Sequence, residues 1–115
     1  MLFEKIDTVF IPVQNLVKAL DWYVDVLGGK PGWKDDNGIY QTVNFGDTSV
    51  TLFINEHELN LHRKYSLFSM YTTSIEKAYD YLKMHSKRVE DIQEAGVAYF
   101  IFEDLDGNCI EVCSY

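Results

Sequence analysis

Apolar and polar positions change period several times along the chain, and each change marks an element. IDTVFIPV is an apolar, strand-like run, which predicts a strand over about residues 4–13. From Leu16 the period lengthens. Leu16, Leu20, Tyr23 and Leu27 recur at helical spacing, Asn15 stands where an N-cap is needed, and Gly28-Gly29 stops the helix. Strand character returns at about 30–34, 39–45 and 48–54, with Gly46-Asp47 as a hairpin turn. After the charged segment NEHELNLHRKY, residues 55–65, the same succession starts again. A strand is expected at about 66–72, then a helix carried by Ile75, Ala78 and Leu82 with Thr73 and Glu76 as its capping box. Strands at about 88–92, 97–103 and 109–115 follow, with Asp104, Asp106 and Gly107 shaping the last turn.

The two halves repeat one another. NLVKALDW, residues 15–22, aligns with SIEKAYDY, residues 74–81, so that Leu16 matches Ile75, Lys18 Lys77, Ala19 Ala78, Asp21 Asp80 and Trp22 Tyr81. Two amphipathic helices resemble each other by chance, but here the shared frame lies inside matching strand contexts, which favours duplication. Each half reads as strand, helix, strand, strand, strand. The modules are about 1–54 and 66–115, joined by a solvated linker at about 55–65.

Composition narrows the partners. A chain of 115 residues, 47% hydrophobic, fits one domain with an ordinary core. Its net charge of −8 repels nucleic acid and anionic membranes, so neither is expected as a partner. No apolar run reaches the ~20 residues of a membrane-spanning helix. The N-terminus carries acidic residues where a signal peptide has a basic patch, and the expected location is cytoplasmic. Cys109 and Cys113 stand four apart on one extended segment, too far for a disulfide.

A pair of βαβββ units, opened by IDTVFIPVQNLVKALDWYVDVLGG and closed by EDLDGNCIEV, resembles the vicinal oxygen chelate superfamily of glyoxalases, bleomycin-resistance proteins and extradiol dioxygenases. The resemblance spans nearly the whole chain. It implies an α+β fold in which two βαβββ modules form a curved mixed sheet with a cleft, and a homodimer in which two chains complete their clefts. In the family's metalloenzymes four cleft-facing positions hold a divalent metal. Carried over by position they fall on Thr8, Thr51, Leu67 and Glu111, of which only Glu111 is a donor of the usual kind. No metal or other cofactor is therefore expected, short of a hard cation loosely held at Glu111 with water. His57, Glu58 and His62 do not replace the missing donors, since histidines five apart do not share one helical face. His85 suits the negative end of the second helix.

Strand parity then gives a cleft inventory. With Val9, Ile11 and Val13 under the first helix, Ile6, Thr8 and Phe10 face the cleft, as do Ser49, Thr51 and Phe53, then Leu67, Ser69 and Tyr71, and lastly Glu111, Cys113 and Tyr115. Trp33, after Pro31-Gly32, is either a pocket wall or a loop anchor. This is a cup of aromatic and small polar groups around one carboxylate, suited to a small organic ligand with an aromatic or cationic part. The ligand residues expected are Thr8, Phe10, Trp33, Thr51, Phe53, Leu67, Ser69, Tyr71, Glu111 and Cys113. Nothing local in the sequence activates Cys113 as a nucleophile. The alternative is a metal-dependent glyoxalase-like lyase or isomerase in which Glu111 is ligand or base.

Overall fold

A computed structural model describes residues 1–55 and 65–115. Contacts divide the chain into two units, residues 1–59 and 60–115. In the first, β1 (Val9–Val13), α1 (Leu16–Asp25), β2 (Lys30–Lys34), β3 (Tyr40–Phe45) and β4 (Thr48–Ile54) build a four-stranded sheet of order β1-β4-β3-β2. In the second, β5 (Ser69–Tyr71), α2 (Ile75–His85), β6 (Gln93–Glu94), β7 (Ala98–Glu103) and β8 (Cys109–Ser114) build another of order β5-β8-β7-β6. Each sheet is mixed: β1 runs parallel to β4 and β5 to β8, while the remaining pairs are antiparallel. The topologies are identical, as the repeated helix frame requires.

Each helix covers one face of its own sheet. Leu16, Ala19 and Tyr23 of α1 are buried with Ile11 and Val13 of β1, Val43 of β3, and Val50 and Leu52 of β4. Leu82 of α2 is buried with Phe100, Phe102, Ile110 and Val112, and Tyr79 meets Phe100 edge to face at 5.4 Å. Removing such side chains from water contributes ~1.5–3 kcal/mol apiece and fixes strand register, because a slip by one residue would turn every one of them outward. The Gly46-Asp47 loop closes the β3–β4 hairpin next to the Phe45–Thr48 pair, and Gly46 has φ +59°, where a side chain would be strained.

Four local expectations are corrected. The first strand begins at Val9, not near residue 4: the β1–β4 register places Val9 beside Val50 and β4 starts at Thr48, so residues 1–6 have nothing in the sheet to pair with. Ile6 accordingly lies off the sheet, 86% exposed. The second helix is capped by Ser74, whose Oγ accepts from the Lys77 amide at 3.4 Å; with the helix starting at Ile75, Thr73 is one residue too early. The strand expected at 88–92 is reduced to an isolated bridge between Val89 and Phe102, and β6 falls at Gln93–Glu94. There the hydroxyl of Ser86 turns the chain by engaging the Glu103 and Arg88 carbonyls at 2.7 and 3.0 Å. The fifth strand is short, three residues rather than seven.

Candidate binding faces

Opposite α1, the first sheet presents Thr8, Phe10, Thr51 and Phe53 as strand parity assigned them, but not Ile6, which lies before the strand. Phe10 is 56% exposed and meets Tyr40 at 6.5 Å and Phe53 at 6.3 Å, both at 74°, while Tyr40 and Phe53 lie 6.5 Å apart. The two edge-to-face contacts lock three rings from adjacent strands into one surface. Tyr40 was not among the expected ligand residues. Its signal was present in the sequence as a strand position of the same parity as Thr42, directly across from Phe53.

Beside the rings, Thr8 Oγ1 and Thr51 Oγ1 are 2.8 Å apart, and Thr8 Oγ1 also donates to the Ser49 carbonyl at 3.3 Å. Thr51 is buried, so this pair satisfies a hydroxyl that water does not reach. Trp33 lies on the edge strand β2 within a register irregularity between Pro31 and Lys34, and is 61% exposed. The irregularity is anchored from β3: Gln41 Nε2 donates to the Gly32, Trp33 and Thr42 carbonyls, and Thr42 Oγ1 donates to the Trp33 carbonyl at 3.2 Å.

The second sheet, opposite α2, brings Ser69 beside Glu111 across the parallel β5–β8 ladder, and Ser69 Oγ donates to Glu111 Oε2 at 2.6 Å. So short a bond is the charge-assisted kind. Tyr71 pairs with Cys113, its ring lies 4.9 Å from that of Tyr115, and its hydroxyl donates to the Tyr115 carbonyl at 3.1 Å. Ile101 and Tyr99 of β7 complete this face as neighbours of Glu111 and Cys113. Leu67 lies just before β5, half-buried, its amide donating to the Cys109 carbonyl at 2.9 Å. Burial, reinforced by the nearby Glu103, pushes the Cys109 thiol up from its ordinary value, which keeps it protonated and unreactive.

Donor chemistry at the four family-equivalent positions does not fit a divalent metal. Thr8 and Thr51 are neutral hydroxyls engaged with each other and Leu67 donates nothing, which leaves Glu111 as the one donor of the usual kind, itself accepting from Ser69 through Oε2. Among the described residues no group of three or more His, Cys, Asp or Glu comes together. His57, Glu58 and His62 lie outside the described residues. His85 ends α2 with its ring 4.5 Å from that of Tyr81.

A further hollow of about 280 Å³ lies in the first unit, walled by Asn15, Leu16, Leu20, Lys34, Gln41 and Ile54 at the start of α1. None of the expected ligand residues lines it. Its wall includes Gln41, a buried polar residue two positions from Val43 on the helix-facing side of β3. Among the described residues no helix is long and apolar enough to cross a membrane.

The model of the glyoxalase/bleomycin resistance protein/dioxygenase superfamily matches residues 5–112. No curated protein matches the sequence. Among solved structures, a member of that superfamily from Sphaerobacter thermophilus DSM 20745 is 24% identical, with a TM-score of 0.81 over 100% of both chains. The antibiotic-binding protein TnmS3 from Streptomyces sp. CB03234 is 21% identical, with a TM-score of 0.77 over 99% of this chain and 98% of its own. The fosfomycin resistance protein FosX of Listeria monocytogenes shares only 8% identity, yet has a TM-score of 0.82 over 98% of this chain and 94% of its own. At such identities the likeness is one of fold.

Proposed function

Because the chain belongs to the glyoxalase/bleomycin resistance protein/dioxygenase superfamily, we propose that it binds a small organic ligand with an aromatic or cationic part, without the divalent metal of the family's enzymes. The observation that carries this reading is the cluster of exposed Phe10 and Tyr40 with half-buried Phe53 beside the Thr8–Thr51 hydroxyl pair. Rings held rigidly against each other offer stacking surface at little entropic cost, and a contiguous apolar patch on a soluble face calls for a partner. Trp33 is the further ring proposed for this face. The second sheet is proposed as a binding face in its own right, with Ser69, Tyr71, Cys113 and Leu67 as lining and Glu111 as the acidic anchor for a cation. A net charge of −8 draws such ligands in. TnmS3, described as antibiotic-binding, gives precedent for ligand capture on this fold. The working form is a homodimer, detected as a species of twice the chain mass in light scattering at micromolar concentration.

Proflavine, a planar aromatic cation, is a suitable probe. Calorimetric titration is expected to give saturable binding that EDTA does not change. Phe53→Ala is expected to weaken it about tenfold, since a ring contact contributes ~0.5–1.5 kcal/mol beyond its buried area. If neither proflavine nor other planar cations bind saturably, the reading fails. Near-stoichiometric nickel, zinc, iron or manganese in protein purified without chelator, lost in Glu111→Ala, would instead favour the lyase or isomerase.

A further inference from the structure

Residues 1–8 precede any strand, and the apolar side chains among them are solvent-facing: Leu2 is 88%, Phe3 81% and Ile6 86% exposed. Residues 1–6 lead into β1 from beyond the reach of β4, and β1 itself forms one edge of its sheet. An apolar overhang that runs into a sheet-edge strand is a template for pairing with another strand. What distinguishes this one is its sequence, because FEKI, residues 3–6, is complementary to itself when run antiparallel.

In the register that sets Glu4 opposite Lys5 of a second copy, Phe3 faces Ile6 and the two-fold axis repeats both pairs. Opposite charges and an aromatic ring against a β-branched side chain are the cross-strand pairs that stabilise antiparallel ladders. Shifting by one residue in either direction places Glu4 against Glu4 or Lys5 against Lys5, which is destabilising. One register is thus favoured over its neighbours, and the resulting interface is isologous. We propose that residues 3–6 pair antiparallel with the same residues of a second copy of this chain, joining two sheets through Glu4–Lys5 and Phe3–Ile6 contacts. This rests on the homodimer of the preceding reading and names its surface.

Charge exchange in the full chain tests it, read by sedimentation equilibrium at low salt. Glu4→Lys and Lys5→Glu each turn both ion pairs into like-charge pairs, and about a tenfold rise in the dimer dissociation constant is expected for each. General repulsion predicts otherwise. Glu4→Lys moves the net charge from −8 to −6 and Lys5→Glu from −8 to −10, so bulk charge alone would strengthen one dimer and weaken the other. An equimolar mixture of the two variants restores complementary pairs in the heterodimer, and the E4K/K5E double variant restores them in the homodimer. Both are expected to associate as tightly as the unaltered chain. The proposal is overturned if the single variants dimerise normally, or if neither mixing nor the double variant restores association. A monomeric unaltered chain overturns the homodimer itself as well.

Discussion

Asp104 shows how much one side chain organises. Its Oδ1 accepts from the amides of Asp106 and Asn108 at 2.9 and 2.8 Å, and its Oδ2 accepts from Asn108 Nδ2 at 3.0 Å, while both residues are buried. The turn entering β8, and with it the placement of Glu111, depends on this carboxylate. Asp104→Ala takes the acceptor from buried donors, and urea unfolding is expected to show a loss of about 2–3 kcal/mol, within the cost of leaving such groups unsatisfied. Asp104→Asn keeps an acceptor for the two amides and is expected to lose less. A turn role for this residue was legible from Asp-x-Asp-Gly, since Asp and Gly serve turns by known local chemistry. Its burial was not, nor was the Ser69–Glu111 bond, because both depend on which strands become neighbours. Asp35 is a similar case: accepting from the Tyr40 and Ile39 amides holds its carboxyl below its ordinary value, a bond that no spacing rule announces.

At the scale of elements, period-two patterning fixed strand faces well. The parity that put Ile11 and Val13 under α1 also put Thr8, Phe10, Thr51 and Phe53 together on the other face. Element ends were less legible, since they are decided by partners rather than by local sequence: β1 starts where β4 can meet it, and β6 forms only where β7 offers Tyr99 and Ala98. The β2–β3 contact is the tightest of these junctions. A methyl on Gly32 would overlap Thr42 Oγ1 and stand 3.0 Å from Asn44 Nδ2. Gly32→Ala is therefore expected to cost about 1–3 kcal/mol, the usual range for overpacking. In a Thr42→Ala background the nearest obstacle is gone, and a double-mutant cycle from thermal unfolding should recover most of that cost. Additive losses would mean that Gly32 matters for some reason other than this close approach. Because the same junction carries Trp33, displacing it should also shift tryptophan emission.

For the whole molecule, duplication was the most legible property and ligand identity the least. A repeated helix frame announces two like modules, and both halves do adopt the same strand order. A ligand, by contrast, is chosen by surfaces that many sequences of this fold vary freely. What the whole chain contributes to recognition is its field. With a net charge of −8, attraction of a cation combines a long-range part, summed over all charges, and a local part at Glu111, and salt separates them. The screening length falls from about 10 Å at 0.1 M salt to about 3 Å at 1 M. Proflavine affinity is expected to fall severalfold over that range, while a neutral aromatic of similar size is affected little. Glu111→Gln changes the net charge only from −8 to −7, so the salt dependence should stay nearly intact while affinity drops at every salt concentration. A variant that lost the salt dependence along with the affinity would place the whole attraction at Glu111, and a variant that lost neither would leave that carboxylate to Ser69 alone.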